Sequence, residues 1–161
     1  MEKIKYLEQH MKLEYLIRND MDRLECMQLS LSSLRSSFRC PDPIRTSPCG
    51  DAVFTGTIAE IESLTQVIQR KMDLRLRLEK QINQALEQMC KGAEEDEPKF
   101  QFAKLIRHRF IMHRTMEETA RDVSVNRATV YRWIKQALAL FPMPEDPVDI
   151  DQELSLIIAA A

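Results

Sequence analysis

Glycine is scarce in this chain: Gly50, Gly56 and Gly92 are the only ones in 161 residues. Long stretches hold neither glycine nor proline. Leu, Met, Glu, Gln, Lys and Arg dominate them, side chains that lose little freedom in a helix. No convincing alternating strand pattern appears, so an all-α fold is expected. No apolar run approaches the roughly 20 residues a membrane span needs, and no membrane partner is expected. Met1-Glu2-Lys3-Ile4-Lys5 lacks the apolar core of a secretory signal, which points to the cytoplasm. Cys26, Cys40, Cys49 and Cys90 fall at irregular spacings with no accompanying His or second cysteine pair. That pattern reads as reduced thiols, not as disulfides or a zinc site. His108 and His113, five apart, do not share one helical face. Neither a metal nor another cofactor is expected.

What is present is enough apolar residue, 44%, for a packed core, and 30% charged residue. The net charge of −2 hides a division. Residues 92–98 carry Glu94, Glu95, Asp96 and Glu97 and no base. The stretch 99–141 carries Lys99, Lys104, Arg107, Arg109, Arg114, Arg121, Arg127, Arg132 and Lys135 against Glu117, Glu118 and Asp122, a local balance of +6. The tail from Pro142 holds only acids. A phosphate backbone responds to the local block, not to the chain average.

Residues 2–36 predict a long helix, with Ile4, Leu7, Met11 and Tyr15 on one stripe that drifts to Leu13, Ile17, Met21, Leu24, Leu31 and Leu34. Residues 37–56, punctuated by Pro41, Pro43, Pro48, Gly50 and Gly56, predict a loop. Thr57 with Glu60 has the spacing of a capping box, so a second long helix is expected to start there. Ile58, Ile61, Leu64, Ile68, Leu78, Ile82, Leu86 and Met89 mark its face. Lys71 and Arg75 interrupt the seam, which argues against a strict coiled coil. Paired antiparallel, the two helices form a hairpin over 1–91 whose faces are broad enough to take a second copy of the chain. Residues 92–98 then form an acidic linker.

From Phe100 the pattern shortens to three helices. Phe102, Leu105, Ile106 and Phe110 stripe the first, and His113-Arg114 breaks it. Thr115 and Glu118 form another capping box for a second helix, Met116 to about Val123, in which Ala120 allows close helix approach. Ser124-Val125 make a tight turn, with Val125 plugging it. Asn126 caps a third helix, Arg127 to Phe141, that Pro142 and Pro144 stop. Val130 and either Trp133 or Ile134 face inward, followed by Ala137, Leu138 and Phe141. This is the skeleton of a helix-turn-helix over 99–141. Asn126, Arg127, Ala128, Thr129, Tyr131, Arg132 and Lys135 are candidates for the DNA-reading face. Arginine pairs with guanine, and alanine or a threonine methyl can touch thymine. Lys135, Arg114 and Arg121 suit phosphate contacts.

The run Thr-Met-Glu-Glu-Thr-Ala-Arg-Asp-Val-Ser-Val-Asn-Arg-Ala-Thr-Val-Tyr-Arg-Trp, Thr115 to Trp133, resembles the helix-turn-helix of sigma-factor region four. It is closer still to the phage-encoded late-gene regulators built on it, the ArpU-like and RinA-like activators. The loop Ile44-Arg-Thr-Ser-Pro-Cys-Gly-Asp-Ala-Val before a long helix is also similar to that group. Ser124 stands where the family has a turn glycine, and the acidic tail is additional. The resemblance implies transcription control in a phage or prophage within a bacterial host, and contact with RNA polymerase. The expected partners are double-stranded DNA and a second copy of the chain. A small terminase-like packaging subunit is the alternative. An enzyme is not expected, because the N-terminal helices offer no carboxylate cluster or nucleophile domain. The tail at 142–161 has three readings open: docking on the helices, covering the basic face, or contacting polymerase.

Overall fold

A computed structural model describes residues 2–37, 48–92 and 97–159. Among these the chain forms six α-helices and one π-helical turn, with no strand. The helices are α1 (Lys3–Ser37), α2 (Pro48–Cys90), α3 (Pro98–Ile106), α4 (Met116–Asp122), α5 (Arg127–Leu140) and α6 (Ile150–Ala159); the π turn, Arg107–Ile111, follows α3 directly. No helix among the described residues is long and apolar enough to cross a membrane.

Two expected boundaries are corrected. The second helix begins at Pro48, not at Thr57, and carries Gly56 and Thr57 in its interior. Proline is tolerated in a helix's first turn, where its missing N–H would have no partner anyway. An interior glycine costs only about 1 kcal/mol, which a 43-residue helix absorbs. Residues 38–47 of the expected loop lie outside the described residues, as do 93–96 of the expected linker and the side chain of Cys49. Pro98, placed in the linker by composition, is the first residue of α3, with Glu97 as its N-cap.

The chain divides into two compact units that do not follow the four segments read from composition. One holds residues 1–14 and 74–150; the other holds 15–73 and 151–161. In the first, Tyr6, Leu7 and Leu13 of α1 are buried, as are Leu74, Leu78, Ile82, Ala85 and Leu86 of α2. Tyr6 meets Gln81, His10 meets Glu79 and Glu14 meets Arg75, the order of an antiparallel pair. Gln81 is a junction. Its Oε1 accepts from the Tyr6 hydroxyl at 3.0 Å and from the Val148 amide at 3.2 Å, and its Nε2 donates to the Asp146 carbonyl at 3.0 Å. Burial pushes the Tyr6 phenol up to about 12, so it stays a donor. Residues 146–150 are thus docked on this helical base, with Ile150 fully buried.

In the other unit, Ile17 of α1, Ile68 of α2, and Leu154 and Ile157 of α6 are buried. The Lys71 ammonium, nearly buried, pairs with Asp20. Buried lysine is tolerated only with such a partner.

Candidate nucleic-acid interface

The helix pair α4–α5 lies in the first unit, and both helices are started by side-chain caps. The Thr115 hydroxyl accepts from the Glu118 amide at 3.2 Å, and the Glu118 carboxylate accepts from the Thr115 amide at 2.8 Å. This is the expected capping box in full. Those bonds from Thr115 hold the Glu118 carboxyl below its usual range. The helix closes with Ser124 in the left-handed region at φ 56°. The Val125 amide donates to the Ala120 carbonyl at 2.9 Å, and the Ser124 amide donates to the Arg121 carbonyl at 3.1 Å. These two bonds define a Schellman closure, whose left-handed residue is usually glycine. Serine occupies that place here at a steric cost. Ala120, expected to allow close helix approach, is buried. Val123 is buried at the turn, whereas Val125, the expected plug, is only half-buried.

Asn126 caps α5. Its Oδ1 accepts from the Thr129 amide at 2.8 Å and from the Thr129 hydroxyl at 2.9 Å. The helix then separates two faces. Val130, Ile134 and Ala137, with Phe141 beyond its end, are buried at three- and four-residue steps. Burying such a side chain is worth about 1.5–3 kcal/mol, so this stripe fixes the rotation of α5 about its axis. Both inward alternatives are used: Ile134 is buried, and Trp133 packs edge-on against Phe102 of α3 at 5.9 Å between centroids. Tyr6 of α1 lies 6.4 Å from the Phe141 ring, and the Lys3 ammonium donates to the Ala139 carbonyl at 2.9 Å. That cation complements the negative end of the α5 dipole.

The outward face carries Arg127, Ala128, Tyr131, Arg132 and Lys135, all exposed. Arg127 lies over the Tyr131 ring at 5.8 Å and donates to the Tyr131 hydroxyl at 3.4 Å and to Glu117 of α4 at 3.1 Å. Its side chain keeps 58% of its surface in solvent. Arg132 donates to the Thr129 hydroxyl at 3.4 Å. Of the candidate readers, Asn126 uses its Oδ1, and Thr129 its amide and hydroxyl, in the cap. Arg121 is exposed on α4. Arg114, before α4, lies 3.9 Å from both Glu118 and Asp122.

Sequence reasoning missed three features. Glu117 sits against the leading arginine of α5. His108 in the π turn meets Asp122 at 2.9 Å. His10 of α1 meets His113 at 2.8 Å. Ten, fourteen and 103 residues separate these partners. No local periodicity signals such pairs.

Comparison with known proteins finds no matching family model, no similar curated protein and no matching solved structure.

Proposed function

We propose that this chain is a sequence-specific DNA-binding protein, a helical hairpin followed by a helix-turn-helix, whose α5 enters the major groove. One observation carries the reading. The inner stripe of α5 is locked into the core while its outer stripe presents Arg127, Tyr131, Arg132 and Lys135 to solvent. A groove-reading helix needs both properties, rigid rotation and displayed cations and donors. Arg127 and Arg132 supply base contacts, and Lys135, Arg121 and Arg114 supply phosphate contacts. Glu117 restrains Arg127 until a base replaces it.

The resemblance of 115–133 to phage regulators of the sigma region-four type supports a role in phage or prophage transcription, with RNA polymerase as a further partner. Exposed Tyr15, Met21 and Leu29 on α1 support a homodimer joined through the N-terminal helices.

The test is a salt titration of binding to a mixed-sequence duplex, followed by footprinting on the sequence next to the protein's own gene. Affinity should fall with salt at a log–log slope of about −0.9 per phosphate neutralised. The footprint should be discrete. Ring-sized particles bound to a packaging site would turn the reading to the terminase-like alternative. Absence of any salt-dependent binding would end it.

A further inference from the structure

His10 and His113 face one another across the first unit. His10, on α1, is 3% exposed. Its Nδ1 lies 2.8 Å from Nε2 of His113, and the rings meet edge-on at 5.0 Å. His113 stands in the left-handed region at φ 57°, between the π turn and the Thr115 cap. We propose that this contact is a proton-operated latch: it ties the segment entering α4 to α1 while at least one ring is neutral, and lets go when both rings are charged.

The reason is the inventory of donors and lone pairs. Two imidazoles share one hydrogen bond only if one facing nitrogen carries a proton and the other a lone pair. A neutral pair satisfies this, and so does a singly charged pair. A doubly charged pair presents N–H to N–H, and the bond becomes a repulsion.

The surroundings separate the two protonation steps. Glu79 of α2 approaches His10 Nε2 at 3.9 Å and favours a first positive charge. Glu14 of α1 also faces the pair, but Arg75 of α2 occupies it and adds a cation beside the rings. Burial opposes ionisation of Glu14, yet the hydrogen bond and charge of Arg75 outweigh it and hold that carboxyl below its usual range. His10 Nε2 is buried with no hydrogen-bond partner. A second positive charge on the pair adds to the first charged ring and to the Arg75 cation.

Burial, and then the charge of His113, lower the His10 pKa. A histidine lowered on folding contributes stability that is complete above its unfolded value of about 6.5 and is lost as pH falls below it. Opening also lets His113 leave the left-handed region, where a side chain with Cβ is strained. The segment freed sits directly before the Thr115–Glu118 cap, so the latch acts on the start of α4.

Hydrogen exchange on the full-length free protein tests this without any nucleic acid, so its failure is distinct from a failure of the DNA-binding reading. Between pH 7.5 and about pH 5.5, after correction for intrinsic rates, protection over residues 112–123 should fall, by up to about tenfold for one lowered histidine. His113→Asn, which tolerates the left-handed backbone, should abolish that dependence, and His10→Asn should do the same. His108→Gln should leave it intact. Equal protection at both pH values in the parent chain would overturn the latch, as would a parent-like response in His113→Asn. Should the variants not fold, ring-nitrogen NMR of the parent chain decides. Two coupled titration steps are expected, and independent titration of both rings would overturn the proposal.

Discussion

Two arginines in the same unit are used in opposite ways. Arg75 on α2 lies mostly inside, its side chain 28% exposed, paired with Glu14 and with a buried Nε that has no hydrogen-bond partner. Arg127 on α5 is 58% exposed, and its acidic partner Glu117 is 69% exposed. A charge taken out of water must be matched or it destabilises the fold. A charge left in water contributes little to stability and remains available to a ligand. Arg75 is therefore committed to the helical base, whereas Arg127 is held loosely at the surface.

Breaking the interior pair should give the largest effect on the folded state. Arg75→Ala strands the Glu14 carboxylate, about three-quarters buried, and should cost about 2–3 kcal/mol in denaturant unfolding. Combining Glu14→Leu with Arg75→Met should regain most of that loss, because an apolar pair needs no charge matching. DNA binding by the refolded double variant should be unchanged.

Arg127→Ala should show the reverse pattern: a loss of roughly tenfold to a hundredfold in affinity for the preferred duplex, with the melting temperature shifted by no more than about 2 °C. An equal loss on preferred and unrelated duplexes, read by fluorescence anisotropy, would reassign Arg127 to phosphate contact.

Asn126 sharpens the contrast, since it lies on the candidate reading surface while its Oδ1 holds the α5 cap. Asn126→Ala should cost about 1 kcal/mol of stability, measured by thermal melting. Asn126→Ser, which restores a capping oxygen, should recover both stability and binding. The smallest effect belongs to the turn. Ser124→Gly should raise stability by about 0.5–1 kcal/mol, because glycine adopts φ 56° without the Cβ penalty.

The two threonine–glutamate signals show how far local sequence reaches. Thr115-Met-Glu-Glu118 and Thr57-Ile-Ala-Glu60 have the same spacing. The first starts a helix; the second lies inside one. At Thr115 the preceding chain leaves helical geometry, with His113 at positive φ, so the cap has orphan amides to satisfy. At Thr57 the helix already runs from Pro48, leaving no orphan amides to cap. A capping box therefore marks a start only where the residues before it cannot continue the helix.

Within 115–141 the local signals agree: the expected caps and turn are present and Val130, Ile134, Ala137 and Phe141 are buried, while Val125 and Leu138, expected inside, are half-buried. The division of the chain was less legible. Composition set residues 1–91 apart from 99–141, but contacts join the first 14 residues and the end of α2 to the α4–α5 region. Tyr6, Gln81 and Val148 meet only through tertiary packing, and none carries a local signal of it. Likewise, Asn126 and Thr129 are candidates for both tasks, because capping and reading favour the same polar residues at the start of a helix.

The most direct measurement is selection of bound duplexes from a random-sequence pool by the intact protein, with sequencing of what is retained. A shared short motif should be enriched by the parent chain and lost, or relaxed at one position, with Arg127→Ala. Retention of unselected sequence by both proteins alike would contradict groove reading by α5.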